Sequence, residues 1–174
     1  MKKALKFAPL CALLLAIVAF ILLFATKSIE YTDGNVKGWY DGPAALFGKG
    51  QAAAALSGVS VAAKYEGKAA WNAVLAFIFI IVALIALVIS AIMVFVKIKA
   101  LEKFGGLIAL IAGGLLLVAG IFIFFTLPAF ASANDWNTTK NCALGVGWVL
   151  AAIFAILGGI ASACPAVLAL FEKK

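Results

Sequence analysis

Residues 69–96 read AAWNAVLAFIFIIVALIALVISAIMVFV, 28 residues without one ionisable side chain. A bilayer core of ~30 Å needs about 20 helical residues. A helix of 28 spans about 40 Å. The stretch therefore predicts a membrane-crossing helix that tilts or stands proud of the lipid on one side.

Three further apolar stretches, 7–26, 104–130 and 143–171, ionise nowhere except at cysteine. The 174 residues are 67% hydrophobic and 12% charged, with a mean hydropathy of +1.20. Soluble domains run near 45–50% apolar and about 25% charged. These numbers exclude a water-soluble globule and a disordered chain. The expected fold is an all-α membrane protein: a four-helix transmembrane bundle forming one domain over 1–174, with a small β-containing extracellular cap. Lys2, Lys3 and Lys6 precede the first stretch as they would in a signal peptide. Its apolar run exceeds the usual 7–15 residues and no clear A-x-A site follows, so an uncleaved helix is expected.

Lysine placement predicts the orientation. One side holds eight lysines (Lys2, Lys3, Lys6, Lys97, Lys99, Lys103, Lys173, Lys174) against Glu102 and Glu172, a net +6. The other holds six (Lys27, Lys37, Lys49, Lys64, Lys68, Lys140) against Glu30, Asp33, Asp41, Glu66 and Asp135, a net +1. Both termini and the 97–103 link are thus expected in the cytoplasm, at the cell membrane, with loops 27–68 and 131–142 outside. The total of +7 reads as a topology signal and a contact with anionic lipid headgroups. Without Arg or aromatic interleaving it is not a nucleic-acid footprint.

All four Trp and all three Tyr lie on the predicted outer side. Trp71 and Trp148 are expected in the interfacial belt. Tyr31, Trp39, Tyr40, Tyr65 and Trp136 are expected as outer-cap contacts. In the long loop, 28–32 and 35–40 flank Asp33-Gly34, a hairpin signal. Gly42-Pro43 is expected to turn the chain, 51–57 to form a turn or two of alanine helix, and 59–65 a third strand. About 40 residues are too few to fold alone, so this cap should depend on the helix ends and the second loop. Asn137-Thr138-Thr139 matches the N-x-[ST] acceptor pattern, though a bacterial source would leave it unused.

Small residues should hold the helices together, since lipid tails are as apolar as leucine. Ala76, Ala83 and Ser90 share a face of the second span, and Gly106, Gly113 and Gly120 a face of the third. These two seams are expected to meet. The fourth span carries Gly147, Ala151, Ala155 and Gly159 at intervals of four, for packing within the chain or for self-association. Pro165 should free a backbone carbonyl near Ala161, with Ser162 as its local substitute partner.

The chain has no His and no Arg, and no acid or base within the apolar stretches. A proton relay, a charged voltage sensor and intramembrane proteolysis all require such groups. Cys11, Cys142 and Cys164 do not cluster into a zinc site and are expected to behave as small buried apolar residues. The acids around Asp33-Gly34-Asn35 lack EF-hand spacing. No cofactor, metal or small-molecule substrate is implied.

The order helix, long β-containing loop, helix, short turn, helix, short loop, helix resembles the claudin-type tetraspan plan. The Gly-Leu-Trp and two-cysteine signature of that family's first loop is missing; Gly38-Trp39-Tyr40 stands in its place. The lysine-rich start and the segment GPAALFG (42–48) resemble small four-span membrane proteins of Gram-positive bacteria. Neither resemblance transfers an activity. The expected function is that of a non-enzymatic tetraspan making structural or partner contacts, with membrane lipids and another protein chain or a second copy as partners. An oligomeric pore with an apolar constriction lined by the fourth-span ladder is the alternative.

Overall fold

The computed structural model describes residues 7–56, 59–95 and 99–171. Lys2, Lys3, Lys6, Lys97, Glu172, Lys173 and Lys174, on which the orientation partly rests, lie outside the described residues.

Four helices are long and apolar enough to cross a membrane. They are α1 (Ala8–Ala25), α3 (Trp71–Phe95), α4 (Lys99–Phe124) and α6 (Val146–Phe171). Between α1 and α3 the chain forms β1 (Lys27–Asp33), β2 (Val36–Asp41), the short helix α2 (Gly42–Phe47), β3 (Lys49–Leu56) and β4 (Val59–Glu66). After α4 come α5 (Thr126–Ala133) and β5 (Cys142–Leu144). The strands form one antiparallel sheet in the order β4-β3-β2-β1-β5. It is joined to the end of α1 and the starts of α3 and α6, with α5 leading in from α4, so it lies at one end of the bundle.

The helices are apolar all round, and small residues make up much of what faces inward, with Leu23, Ile80, Leu87, Leu116 and Ile123 buried between them. Ala12, Ala16, Ala19, Ala73, Ala76, Ala83, Ala112, Ala119, Ala151 and Ala155 are buried. Leu14, Ile21, Ile85, Ile92, Ile111, Ile121 and Ile160 are exposed. In water, burial would favour placing the larger residues inside. Alanine inside lets backbones approach, which is how helices associate in lipid.

Several expectations are corrected. The third apolar stretch is not one helix to 130: α4 ends at Phe124 and α5 restarts at Thr126. Pro128 has no N–H for the Phe124 carbonyl, so the ladder breaks there. The Phe125 N–H turns back to Phe122 O at 3.2 Å. The fourth stretch starts its helix at Val146 because Ala143 and Leu144 pair with β1. Residues 51–56 are strand, not helix. Their backbone is bonded on both sides, to β2 and β4, and such tertiary pairing overrides alanine's helix propensity.

The hairpin loop is Gly34-Asn35, one residue later than expected, because Asp33 pairs with Val36. Gly34 has φ +57° while Asn35 stays at negative φ, the signs of a type II′ turn. Gly42-Pro43 opens α2 rather than a bare turn. Asp41 caps that helix, its Oδ1 accepting from Ala44 N–H at 2.9 Å, with proline in the first turn, where no N–H is required. Asp41 Oδ2 accepts from Gln51 N–H at 2.9 Å, so one carboxylate also fixes the start of β3.

Candidate functional site

Two arrangements bring the sequence-singled residues together: the helix seams and an aromatic cluster under the sheet. In the seams, Ala76, Ala83 and Ser90 of α3 are buried. Ser90 Oγ donates to Gly105 O of α4 at 2.9 Å, and Asn72 Nδ2 to Phe122 O at 3.0 Å. These two bonds tie α3 to α4 near both ends. Gly113 and Gly120 face α6, not α3 as expected. A Cβ at Gly113 would come within 2.8 Å of Gly159 O, and one at Gly120 within 2.9 Å of Ala152 O. A Cβ at Gly106 would meet nothing within 4 Å, so Gly106 is not part of a close backbone approach. α4 thus turns Gly113 and Gly120 toward α6, while Ala112 and Ala119 beside them are buried in the core. Ser162 Oγ donates to Ala109 O at 2.6 Å. It bridges α6 to α4 rather than serving the carbonyl freed by Pro165. Ala151, Ala155 and Gly159 are buried within the chain, and Gly147 lies against Thr26, the residue that ends α1.

The aromatic cluster follows from strand alternation. Tyr31 pairs with Gly38 and Ile29 with Tyr40, so these four share one face of the sheet. Tyr65 reaches the same face from β4. The Tyr40 ring lies 5.0 Å from Tyr65, 5.9 Å from Tyr31, 5.4 Å from Phe130 and 5.7 Å from Trp136. Trp39 does not join. As Tyr40's neighbour along the strand it faces the other way, with Lys27 Nζ 5.4 Å above its ring. Trp148 is not in an interfacial belt either: it is fully buried in the third position of α6. Its Nε1 has no hydrogen-bond partner among the described residues. Trp71 is exposed, in keeping with a belt position.

Trp136 is held by the end of α5. Asp135 adopts φ +57°, Trp136 N–H donates to Ala131 O at 2.9 Å, and Asp135 N–H donates to Ser132 O at 3.5 Å. This is a Schellman motif. Its accompanying apolar contact is the edge-on packing of Trp136 on Phe130, with centroids 5.4 Å apart.

Asn134, just before the turn, clamps the two loops. Its Oδ1 accepts from Tyr65 Oη at 2.7 Å and Lys68 N–H at 2.9 Å. Its Nδ2 donates to Lys68 O and Phe130 O, both at 2.9 Å. Sequence reasoning missed Asn134, Phe130, Ser28 and Asp41. Only Asp41, followed by Gly-Pro, carried a local signal, that of a helix cap. Ser28 is the extra residue of a bulge in β1, and its Oγ donates to Asp41 O at 2.7 Å.

Burial, then the neighbouring Tyr31 and Cys142, raise the Tyr40 phenol above its ordinary value. Burial, then Tyr40, pushes Tyr65 up to about 12. Burial also raises the Cys142 thiol. Tyr31, Tyr40, Trp136 and Cys142 line a groove of about 390 Å³ between β1–β2 and the 134–142 segment. Cys142 is half-buried, whereas Cys11 and Cys164 are exposed on the outside of the bundle rather than buried within it. Among the described residues no cluster of His, Cys, Asp and Glu has the grouping to hold a metal ion. Compared with known proteins, the chain matches no family model and no curated sequence.

Proposed function

We propose that this chain is a non-enzymatic four-span protein of the cell membrane whose cap contacts another protein chain or a second copy of itself. The observation that carries the reading is a bundle of four apolar helices packed largely through alanine and glycine, with Leu23, Ile80, Leu87, Leu116 and Ile123 between them and many large aliphatic residues exposed around the outside. Four such helices are compatible with an integral membrane protein. The lysine imbalance of +6 against +1 supports cytoplasmic termini and an external sheet. The tetraspan order of elements belongs to the same reading, as an architectural likeness to the claudin-type plan.

Partner contact through the cap is supported by β4. Among the described residues it is an edge strand with an unpaired side, and Val59 and Val61 are 67% and 64% exposed. Exposed apolar edges invite pairing. The pore alternative is less favoured on this reading, since Ala151, Ala155 and Gly159 are packed within one chain.

Impermeant maleimide tests the orientation on intact cells carrying Asn35→Cys in a chain whose three native cysteines are replaced. Labelling before permeabilisation is expected; labelling only afterwards overturns it. Mass measurement in mild detergent, with cross-linking through Lys64 on β4, tests the contact. A strictly monomeric chain that cross-links to nothing would end that part of the reading.

A further inference from the structure

The groove lined by Tyr31, Tyr40 and Trp136 has the make-up of a cation site. Tyr40 is the shared neighbour, with its ring tilted 40° from Tyr31 and 43° from Trp136. The three rings thus form successive, angled walls. Asp33 lies two residues beyond Tyr31 on the same strand face and also lines the groove. Among the described residues no lysine lines it, and Asp33 has no ion-pair partner. Thr138 and Asn141 supply a polar rim, held to β1 by the Thr32 N–H bond to Asn141 O at 2.9 Å. The volume of about 390 Å³ falls within the range of small-ligand pockets, about 300–1,000 Å³.

We propose that this groove binds a quaternary ammonium group, with Tyr31, Tyr40 and Trp136 facing its methyl groups and Asp33 supplying the counter-charge. Ring faces carry negative electrostatic potential. They attract a diffuse cation that needs no hydrogen bonds. A compact ammonium holds its water more tightly and gains less from ring faces. Gly38 is part of the design. A methyl group there would fall on the end of the Tyr31 ring, so only glycine lets Tyr31 lie flat across β2. The site does not depend on which side of the membrane the cap occupies. Its bearer is either a free choline-type solute or the headgroup of a choline lipid.

The test uses the full chain in phosphatidylglycerol nanodiscs, titrated calorimetrically with choline and with its neutral carbon isostere, 3,3-dimethylbutanol. Choline is expected to bind saturably, about tenfold or more tighter than the isostere. Asp33→Asn, at an exposed turn, should weaken choline binding severalfold without unfolding the cap. Gly38→Ala should weaken it by displacing Tyr31. Choline should also slow alkylation of Cys142, which lines the groove, and leave Cys11 and Cys164 unchanged.

Repeating the titration in phosphatidylcholine nanodiscs separates the two bearers. Loss of the choline signal with Cys142 still protected assigns the lipid headgroup, and an unchanged signal assigns the free solute. Equal binding of choline and isostere, binding of a neutral sugar in place of choline, no saturable signal in the millimolar range, or indifference to both substitutions overturns the proposal.

Discussion

Gly113 on α4 and Gly159 on α6 oppose each other backbone to backbone. A Cβ on Gly113 would lie 2.8 Å from the Gly159 carbonyl oxygen, and a Cβ on Gly159 2.7 Å from that of Gly113. Neither obstacle is a side chain that can swing aside, so the interhelical distance here is set by two missing methyl groups.

Gly113→Ala should therefore force α4 and α6 apart, with an overpacking cost of about 1–3 kcal/mol. Gly106→Ala and Gly114→Ala meet nothing within 4 Å. They should be neutral or stabilise by about 0.5–1 kcal/mol through helix propensity. Thermal unfolding in mild detergent compares the three variants. Equal tolerance at Gly113 and Gly106 would contradict the close approach.

Asn134→Ala removes four hydrogen bonds at once. Those to Lys68 are exposed, so water replaces them and the loss falls well short of four full bonds. A cost of about 1–3 kcal/mol is expected. It should be confined to the cap. Hydrogen exchange should quicken in β4 and residues 134–142 while the amides of α4 and α6 keep their protection.

Asp135→Gly should stabilise the protein. Asp135 holds φ +57° at the end of α5, where a side chain is strained and glycine is not. Its ion pair with Lys68 at 3.6 Å is lost, but those side chains are 70% and 87% exposed and such pairs contribute little. The gain expected is about 0.5–1 kcal/mol. Asp135→Val should move the unfolding midpoint in the opposite direction.

Alkaline pH should loosen the cap. Tyr65 is pushed up to about 12, first by burial and then by Tyr40, against about 10 in an unfolded chain. Between those values the folded state holds a proton that the unfolded state has lost. The stabilisation is complete below pH ~10 and disappears as pH rises through about 12. The ionised phenol also cannot donate to Asn134. Tyr65→Phe should flatten this part of the pH dependence. A phenolate absorbance titration that reports only ordinary tyrosines would contradict it.

The four apolar helices were legible because hydropathy is a local sum over about 20 neighbouring residues. The β1–β2 pairing was legible because a glycine-containing turn sits between alternating residues. β3 was misread as helix: nothing within AAAA announces that strands lie on both sides of it. The inward-facing Ala76, Ala83 and Ser90 were readable from their spacing. That Gly113 and Gly120 turn to α6 while Gly106 meets nothing depends on where a third helix stands.

Trp39 and Trp136 looked equivalent as outer aromatics. Strand parity sends the first away from the cluster, and a helix-ending turn brings the second onto Phe130 and Tyr40. The sequence by itself determined the number of greasy helices, their order and their charge bias, since those follow from what each residue prefers as solvent. Only the tertiary structure decided which faces meet and that residues 31–40 and 136–142 enclose a groove. Those contacts join segments about a hundred residues apart, and their energy exists only once both ends of the chain are in place.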